Sequence, residues 1–262
     1  MLQMYFFIFF AGLSELSFDP RPEVRKSALD VLFETLGNHG HLFSLPLWER
    51  IFESVLFPIF DHVRHAIDPS GSSPQVNEVD NNGELDQDWL YETCTVALQL
   101  VADLFVNFYN TVNPLLRKVL MLLVSFIKRP HQSLAGIGIA AFVRLMNNAG
   151  ELFSDDKWLE VVLSIKEAAN ATLPKFSFLE SEDFVARNEE YASTADDDRG
   201  DLVESGSPDD LESLRVRRLY AYFADAKCRA AVQILLIQVK FQLLQNLSKF
   251  LRKNKYKGAH EF

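Results

Sequence analysis

Asp19, Val24 and Arg25, within DPRPEVRKSALDVLF (Asp19 to Phe33), are the residues whose types and spacing promise the most. An aspartate in a turn accepts hydrogen bonds from backbone N–H groups that the next helix leaves free. An arginine six residues on brings a planar fork of donors for a carboxylate on a neighbouring element. Val24, Ala28 and Leu32 recur every four residues and so share one helix face. The chemistry expected here is structural: a charged corner between two packed helices.

Catalytic chemistry finds less to work with. His39 and His41 flank Gly40, and His62 and His65 lie one turn apart, but zinc takes three or four ligands and no cysteine or carboxylate stands at suitable spacing. No metal is expected. Cys94 and Cys228 fall within helical patterns, which fits reduced thiols better than a disulfide framework. A nucleophile needs a positioned base, and no G-x-S-x-G elbow occurs. Gly136-x-Gly138 is not a phosphate loop; it sits in the apolar run LAGIGIAAF, where small residues let helices approach closely. Carboxylates cluster mainly between Glu180 and Glu212, thirteen acids against two bases, in a stretch expected to be too mobile to hold a preorganised site. No catalytic residue, cofactor or small-molecule substrate is expected.

Modification and membrane contact leave fainter marks. Ser73 and Ser207 each precede proline and, with Ser205, are the expected phosphorylation sites; read without that role, their segments are solvated spacers. The last helix ends in Lys249, Arg252, Lys253, Lys255 and Lys257. Cations there complement the helix dipole, and they are the expected contact with anionic lipid, at ~1 kcal/mol per charge near the surface. From Arg215 to Lys257 there are eleven bases and one acid, Asp225, so the formal charge of −10 averages an acidic insert and a basic end. A basic helix without a stacking motif is a poor nucleic-acid footprint, and no nucleic acid is expected.

The elements that carry these residues are helices. Trp48, Ile51, Phe52, Val55, Leu56, Ile59 and Phe60 follow i, i+3, i+4 spacing. Leu90 to Phe108 and Val112 to Ile127 do the same, as do Leu219, Phe223, Ala226, Ala230, Ile234, Ile237, Phe241 and Leu244. Each stripe is expected to bury against a neighbour. Asp19-Pro20 and Asn113-Pro114 read as an N-cap followed by proline at the first helical position, Ser44 and Ser154 as caps, and Pro58 as a kink. MLQMYFFIFFAGL is too short for a span of about 20 residues and lacks a basic leader, and the other apolar runs are cut by charge, so no membrane helix is expected.

A repeat runs through this pattern. A shift of 110 residues lays Asn38, Gly40, Phe43, Ser44 and Trp48 on Asn148, Gly150, Phe153, Ser154 and Trp158. A looser match pairs Cys94, Ala97 and Gln99 with Cys228, Ala231 and Gln233. Each half reads as helix, N-x-G-x-L-F-S turn, tryptophan helix, polar insert and long helix. Repeated helix pairs bury their stripes on each other in a row. The expected fold is therefore an all-α solenoid of HEAT/armadillo-like helix pairs. Its expected divisions are residues 1–169 with a flexible insert at about 68–86, an acidic flexible insert at 170–210, and a long closing helix at 211–262.

Asp19, Val24, Arg25, Ala28 and Leu32 follow the HEAT-repeat signature of a turn aspartate and a Val-Arg pair opening the second helix. AGLSELSFDPRPEVRKSALDVLFETL, LFSLPLWERIFESVLFPIFDHVRHAIDP and LLVSFIKRPHQSLAGIGIAAFVRLMNNAG resemble the large brefeldin A-inhibited guanine-nucleotide exchange proteins for ARF GTPases, nearest to plant members. The resemblance runs from Ala11 to Phe178 and resumes at Leu211; residues 1–10 depart from it. It implies a helical region downstream of the catalytic exchange domain. Nothing in this chain matches that domain's glutamate loop, so no exchange activity of its own is expected. It further implies regulation or localisation of ARF activation in vesicle-mediated transport, with the chain cytoplasmic and peripheral to trans-Golgi and endosomal membranes. The partners implied are the ARF-family GTPase pathway and other regions of an exchange factor. The alternative is an independent HEAT-type adaptor binding a cargo or peptide. A stack separated from its neighbours exposes apolar faces, so the isolated chain is expected to be poorly soluble.

Overall fold

The structure, a computed structural model, describes residues 2–61, 83–129, 131–174 and 208–258, and these contain helices and turns with no β-strand. In chain order the helices are α1 (Leu2–Leu16), α2 (Pro22–His39), α3 (Leu45–Ile51), α4 (Gly83–Asn107), α5 (Leu116–Ile127), α6 (Gln132–Ala149), α7 (Asp155–Ala171) and α8 (Pro208–Gly258). A short helical turn, Tyr109–Val112, and a 3-10 turn, Asn113–Leu115, join α4 to α5.

α1 packs on α2 and α3, α5 on α6 and α7, and α8 on α6 and α7, while longer connections bring α4 onto α2 and α6. α6 is the most enclosed, touching α4, α5 and α8. Its sequence allows this because Leu134, Ala135, Gly138, Ile139, Ala141, Phe142, Leu145 and Met146 are buried on several faces. Of the two glycines in its first turns, one is a contact point. A Cβ on Gly138 would lie 2.8 Å from Phe126 Cβ and 3.0 Å from the Leu123 carbonyl oxygen, whereas one on Gly136 would meet nothing within 4 Å. Close approach of α5 to α6 therefore rests on Gly138. The core continues through fully buried Phe10, Trp48, Phe52, Phe60, Phe105, Phe126 and Phe142. Phe60 meets Phe126 edge-on at 6.1 Å between ring centres.

Several helix starts differ from those read in the sequence. α2 begins at Pro22, not at Pro20, because a residue before proline is held extended. Arg21, at φ −84° and ψ 120°, is that residue and occupies the N-cap position. Asn113 does not cap α5; it opens the 3-10 turn, and its amide donates to the Asn110 carbonyl at 3.2 Å. Ser44 and Ser154 do hold the N-cap positions of α3 and α7. Pro58 acts through what precedes it: Phe52–Leu56 form a π-helical turn before the helix resumes at residues 57–61. A proline has no N–H and its ring crowds the carbonyl four residues back, here Ser54; a wider turn removes that conflict. The buried Ser14 hydroxyl donates to the Val55 carbonyl of this turn at 3.0 Å.

α4 starts at Gly83 and α8 at Pro208, within the ranges read from the sequence as polar inserts; residues 62–82 and 175–207 lie outside the described residues. The largest correction concerns α8. Phe223, Ile234, Ile237, Phe241 and Leu244, expected to be buried, are all exposed. The buried side is Val232, Leu236, Val239 and Leu243. Both sets keep helical spacing, and periodicity alone does not choose between two apolar faces of one helix.

Candidate functional site

Asp19, Arg21 and Arg25 hold the corner between α1 and α2. Asp19 Oδ1 accepts from the Arg21 backbone N–H and from Arg21 Nε, each at 2.9 Å, and Oδ2 accepts from Nη2 at 3.0 Å. The carboxylate thereby satisfies a backbone donor that the turn would leave free. These bonds to Arg21 hold its carboxyl well below the ordinary range, at about 2. Arg25 is buried, and its Nη1 donates to the carbonyls of Asp19 at 3.1 Å and Pro20 at 3.0 Å. A buried guanidinium thus fastens the backbone of the turn to α2. Ala28 and Leu32 are buried below it, and Val24 is half-buried.

The two N-x-G-x-L-F-S turns form the other built corners. In the first, Trp48 Nε1 donates to the Gly40 carbonyl at 3.2 Å, and the indole packs on Phe43, Phe52 and Phe108. A Cβ on Gly40 would stand 2.6 Å from both Phe108 and Trp48, so only glycine fits. In the second, Trp158 packs on Phe153 and on Phe250 from α8. Its Nε1 is buried without a hydrogen-bond partner. Asn38 and Asn148 are exposed at the ends of α2 and α6.

Among the described residues no three His, Cys, Asp or Glu side chains come together as metal ligands. His39 rests against the Phe6 ring, and His131 is bonded to the Tyr91 hydroxyl at 2.7 Å. Burial pushes the Cys228 thiol up, away from the thiolate that nucleophilic attack needs. His62, His65, Ser73, Ser205 and Ser207 lie outside the described residues. Lys249 and Arg252 are exposed near the end of α8; Lys253, Lys255 and Lys257 continue that helix, with their side chains outside the description.

Surfaces between helices carry features that sequence reasoning missed. An apolar groove of 130 Å³ lies between α2 and α4, lined by Leu29, Phe33, Val96 and Leu100 with Lys26 and Asp30 at its rim. Arg144 of α6 clasps Asp103 of α4 through two bonds of 2.7 and 2.8 Å, and its pKa is raised by that carboxylate. Lys118 bonds Glu53 at 2.6 Å, and Lys128 bonds Glu167. Gln233 donates to the Ala169 carbonyl at 2.7 Å and to the Thr172 hydroxyl oxygen at 2.8 Å. It ties α8 to the end of α7. No local motif marks such pairs, which join residues 39 to 65 positions apart. Tyr109–Ile127 is long and apolar enough to cross a membrane by length and composition, but 56% of that window is buried inside the fold, as in a core helix.

The family model for the C-terminal region of Mon2 protein matches residues 2–107, so it takes in residues 2–10, which the sequence resemblance left aside. Brefeldin A-inhibited guanine nucleotide-exchange protein 2 of Arabidopsis thaliana is 61% identical over 245 residues, 91% of this chain and 14% of that protein. The corresponding protein 3 of Arabidopsis thaliana is 60% identical over 229 residues, covering 87% of the chain and 12% of the relative. ADP-ribosylation factor guanine nucleotide-exchange factor sec71 of Schizosaccharomyces pombe is 29% identical over 152 residues, 58% of the chain and 8% of that protein. The chain thus spans about one-seventh to one-eighth of the length of these two relatives. No solved structure gives a significant match.

Proposed function

Since this chain is homologous, over nine-tenths of its length, to a short part of the large brefeldin A-inhibited guanine nucleotide-exchange proteins, we propose that it is a non-catalytic regulatory and scaffold segment of an ARF exchange factor. It acts through protein–protein contact in vesicle-mediated transport, peripherally at trans-Golgi and endosomal membranes. Its helices form a HEAT-like solenoid divided at residues 1–169, 170–210 and 211–262, and exchange chemistry belongs to another region of the factor. The observation that carries this reading is the identity of 61% to an exchange protein of which the chain spans 14%. Helices packed on one another through apolar faces, with corners held by Asp19 and the two tryptophans, support a scaffold over an enzyme. The basic end of α8 is the segment's contact with anionic lipid, and Ser73, Ser205 and Ser207 are its regulatory phosphorylation sites.

The test is a segment exchange in the Arabidopsis protein 2 relative. Replacing its matching region by this chain should preserve both nucleotide exchange in vitro and membrane distribution in cells. Deleting the region should leave exchange on soluble ARF within about twofold and disperse the protein from its membranes. Loss of exchange on deletion would place catalytic machinery in the segment and overturn the reading.

A further inference from the structure

α8 carries two apolar faces, and the fold uses one of them. Val232, Leu236, Val239 and Leu243 are buried where α8 lies on α6 and α7. The second face runs through Tyr220, Phe223, Ile234, Ile237, Phe241 and Leu244, each more than half exposed. Exposed apolar residues scattered singly need no explanation, but a continuous line of them does.

The spacing of that line is regular. From Val216 to Leu251 the positions advance by four and three residues in strict alternation, through Lys227, Ala230 and Ser248 where the side chain is not a large apolar one. All eleven positions are exposed. A repeat of 3.5 residues keeps one seam facing a companion helix over many turns, with side chains of each filling gaps in the other. A sheet edge, a loop or a small molecule does not call for such a period over 36 residues, about 50 Å of helix. The complement of this face is another helix.

The charges along the seam choose which helix. Among the described side chains of residues 216–252, every exposed charged one is basic: Arg217, Lys227, Lys240, Lys249 and Arg252. The single acid of this stretch, Asp225, is occupied by Arg229 on the same helix at 2.7 Å. Lys227 stands in the seam, and Arg217, Lys240 and Arg252 flank it. Two copies of this face would bring like charges together. A helix with apolar seam residues and Glu or Asp at its flanks brings opposite ones.

We propose that the exposed seam of α8 is a docking face for an amphipathic helix of about five heptads with acidic flanks, supplied by another polypeptide. The seam offers the apolar contact, and the basic flanks set partner choice and register. This inference goes beyond the role of the segment in an exchange factor and does not depend on it.

The test uses the whole chain and a fluorescein-labelled synthetic helix of five heptads with Leu in the seam and Glu at the flanking positions. By fluorescence anisotropy the probe should bind saturably, at least about tenfold more tightly than the same helix with Lys flanks, and more weakly at about 0.5 M salt. Ile237→Glu and Phe241→Glu should each weaken it at least about tenfold. Both side chains are exposed, so circular dichroism should show the fold unchanged. Ile8→Glu, an exposed apolar position on α1, should leave binding as it was. Equal binding of the two probes, or none, would overturn the proposal. Sedimentation equilibrium showing a dimer that Ile237→Glu dissociates would make the occupant a second copy. Binding seen only after residues 180–207 are replaced by a neutral linker would make it the chain's own acidic segment. Either result defeats an external acidic helix.

Discussion

The turns at Gly40 and Gly150 share Asn, Gly, Leu, Phe, Ser and Trp at matching positions, yet the fold closes the first far more tightly. Around Gly40 the tryptophan is wholly buried, bonded through Nε1, and ringed by three phenylalanines. Around Gly150 the indole nitrogen has no partner, and a Cβ would lie 3.2 Å from Trp158 in place of 2.6 Å. What differs is the element that arrives from outside the motif. Phe108, just after α4, presses into the first corner; Phe250, about twelve turns along a helix with one open face, lines the second. A repeated motif therefore sets the path of the backbone, and its neighbours set the packing.

That contrast breaks or sharpens under substitution. Replacing a buried tryptophan by alanine costs about 3–5 kcal/mol. Trp48→Ala should fall at the upper end and Trp158→Ala at least about 1 kcal/mol lower, read by urea unfolding. Equal losses would erase the difference. Next in size is the glycine pair. Gly40→Ala forces a methyl into two rings and should cost about 1–3 kcal/mol or more. Gly150→Ala asks Trp158 to give by a few tenths of an ångström and should cost under about 1 kcal/mol.

A finer probe changes one nitrogen. Trp48→Phe removes one of two hydrogen bonds accepted by the Gly40 carbonyl, which keeps the Phe43 backbone N–H at 3.1 Å, and should cost about 0.5–1.5 kcal/mol beyond lost packing. Trp158→Phe removes an indole N–H that has no partner, which offsets part of its packing loss. The ratio of the two losses, compared with that of the alanine pair, isolates the bond. The smallest effect belongs to the charged corner. The Asp19 carboxyl titrates at about 2, below its ordinary value of 3.8, so the ionised form stabilises the fold. That contribution is fully present above the ordinary carboxylate range and fades as pH falls toward 2. Asp19→Asn should flatten a small part of the Tm decrease over that window and leave Tm at neutral pH slightly lowered.

The helices, the apolar phase of those before α8 and the repeated turn were legible because each rests on local spacing. Gly138 as a contact point was legible as a type but not by position, since Gly136 looks the same in sequence and touches nothing. The start of α2 at Pro22 was readable in principle, for a second proline holds Arg21 extended. The open face of α8 was not. Ile234 and Leu236 are equally apolar, and only the position of α6 and α7 decides which is covered. Arg144–Asp103 and Gln233–Ala169 escaped for the same reason: the partners meet only once the helices are placed.

The account turns on this chain being a scaffold that carries no exchange chemistry itself. Release of a fluorescent guanine nucleotide from ARF, measured with the purified chain at a tenfold excess, tests that most directly. The rate should equal the spontaneous one. A concentration-dependent acceleration by the chain alone would contradict the account.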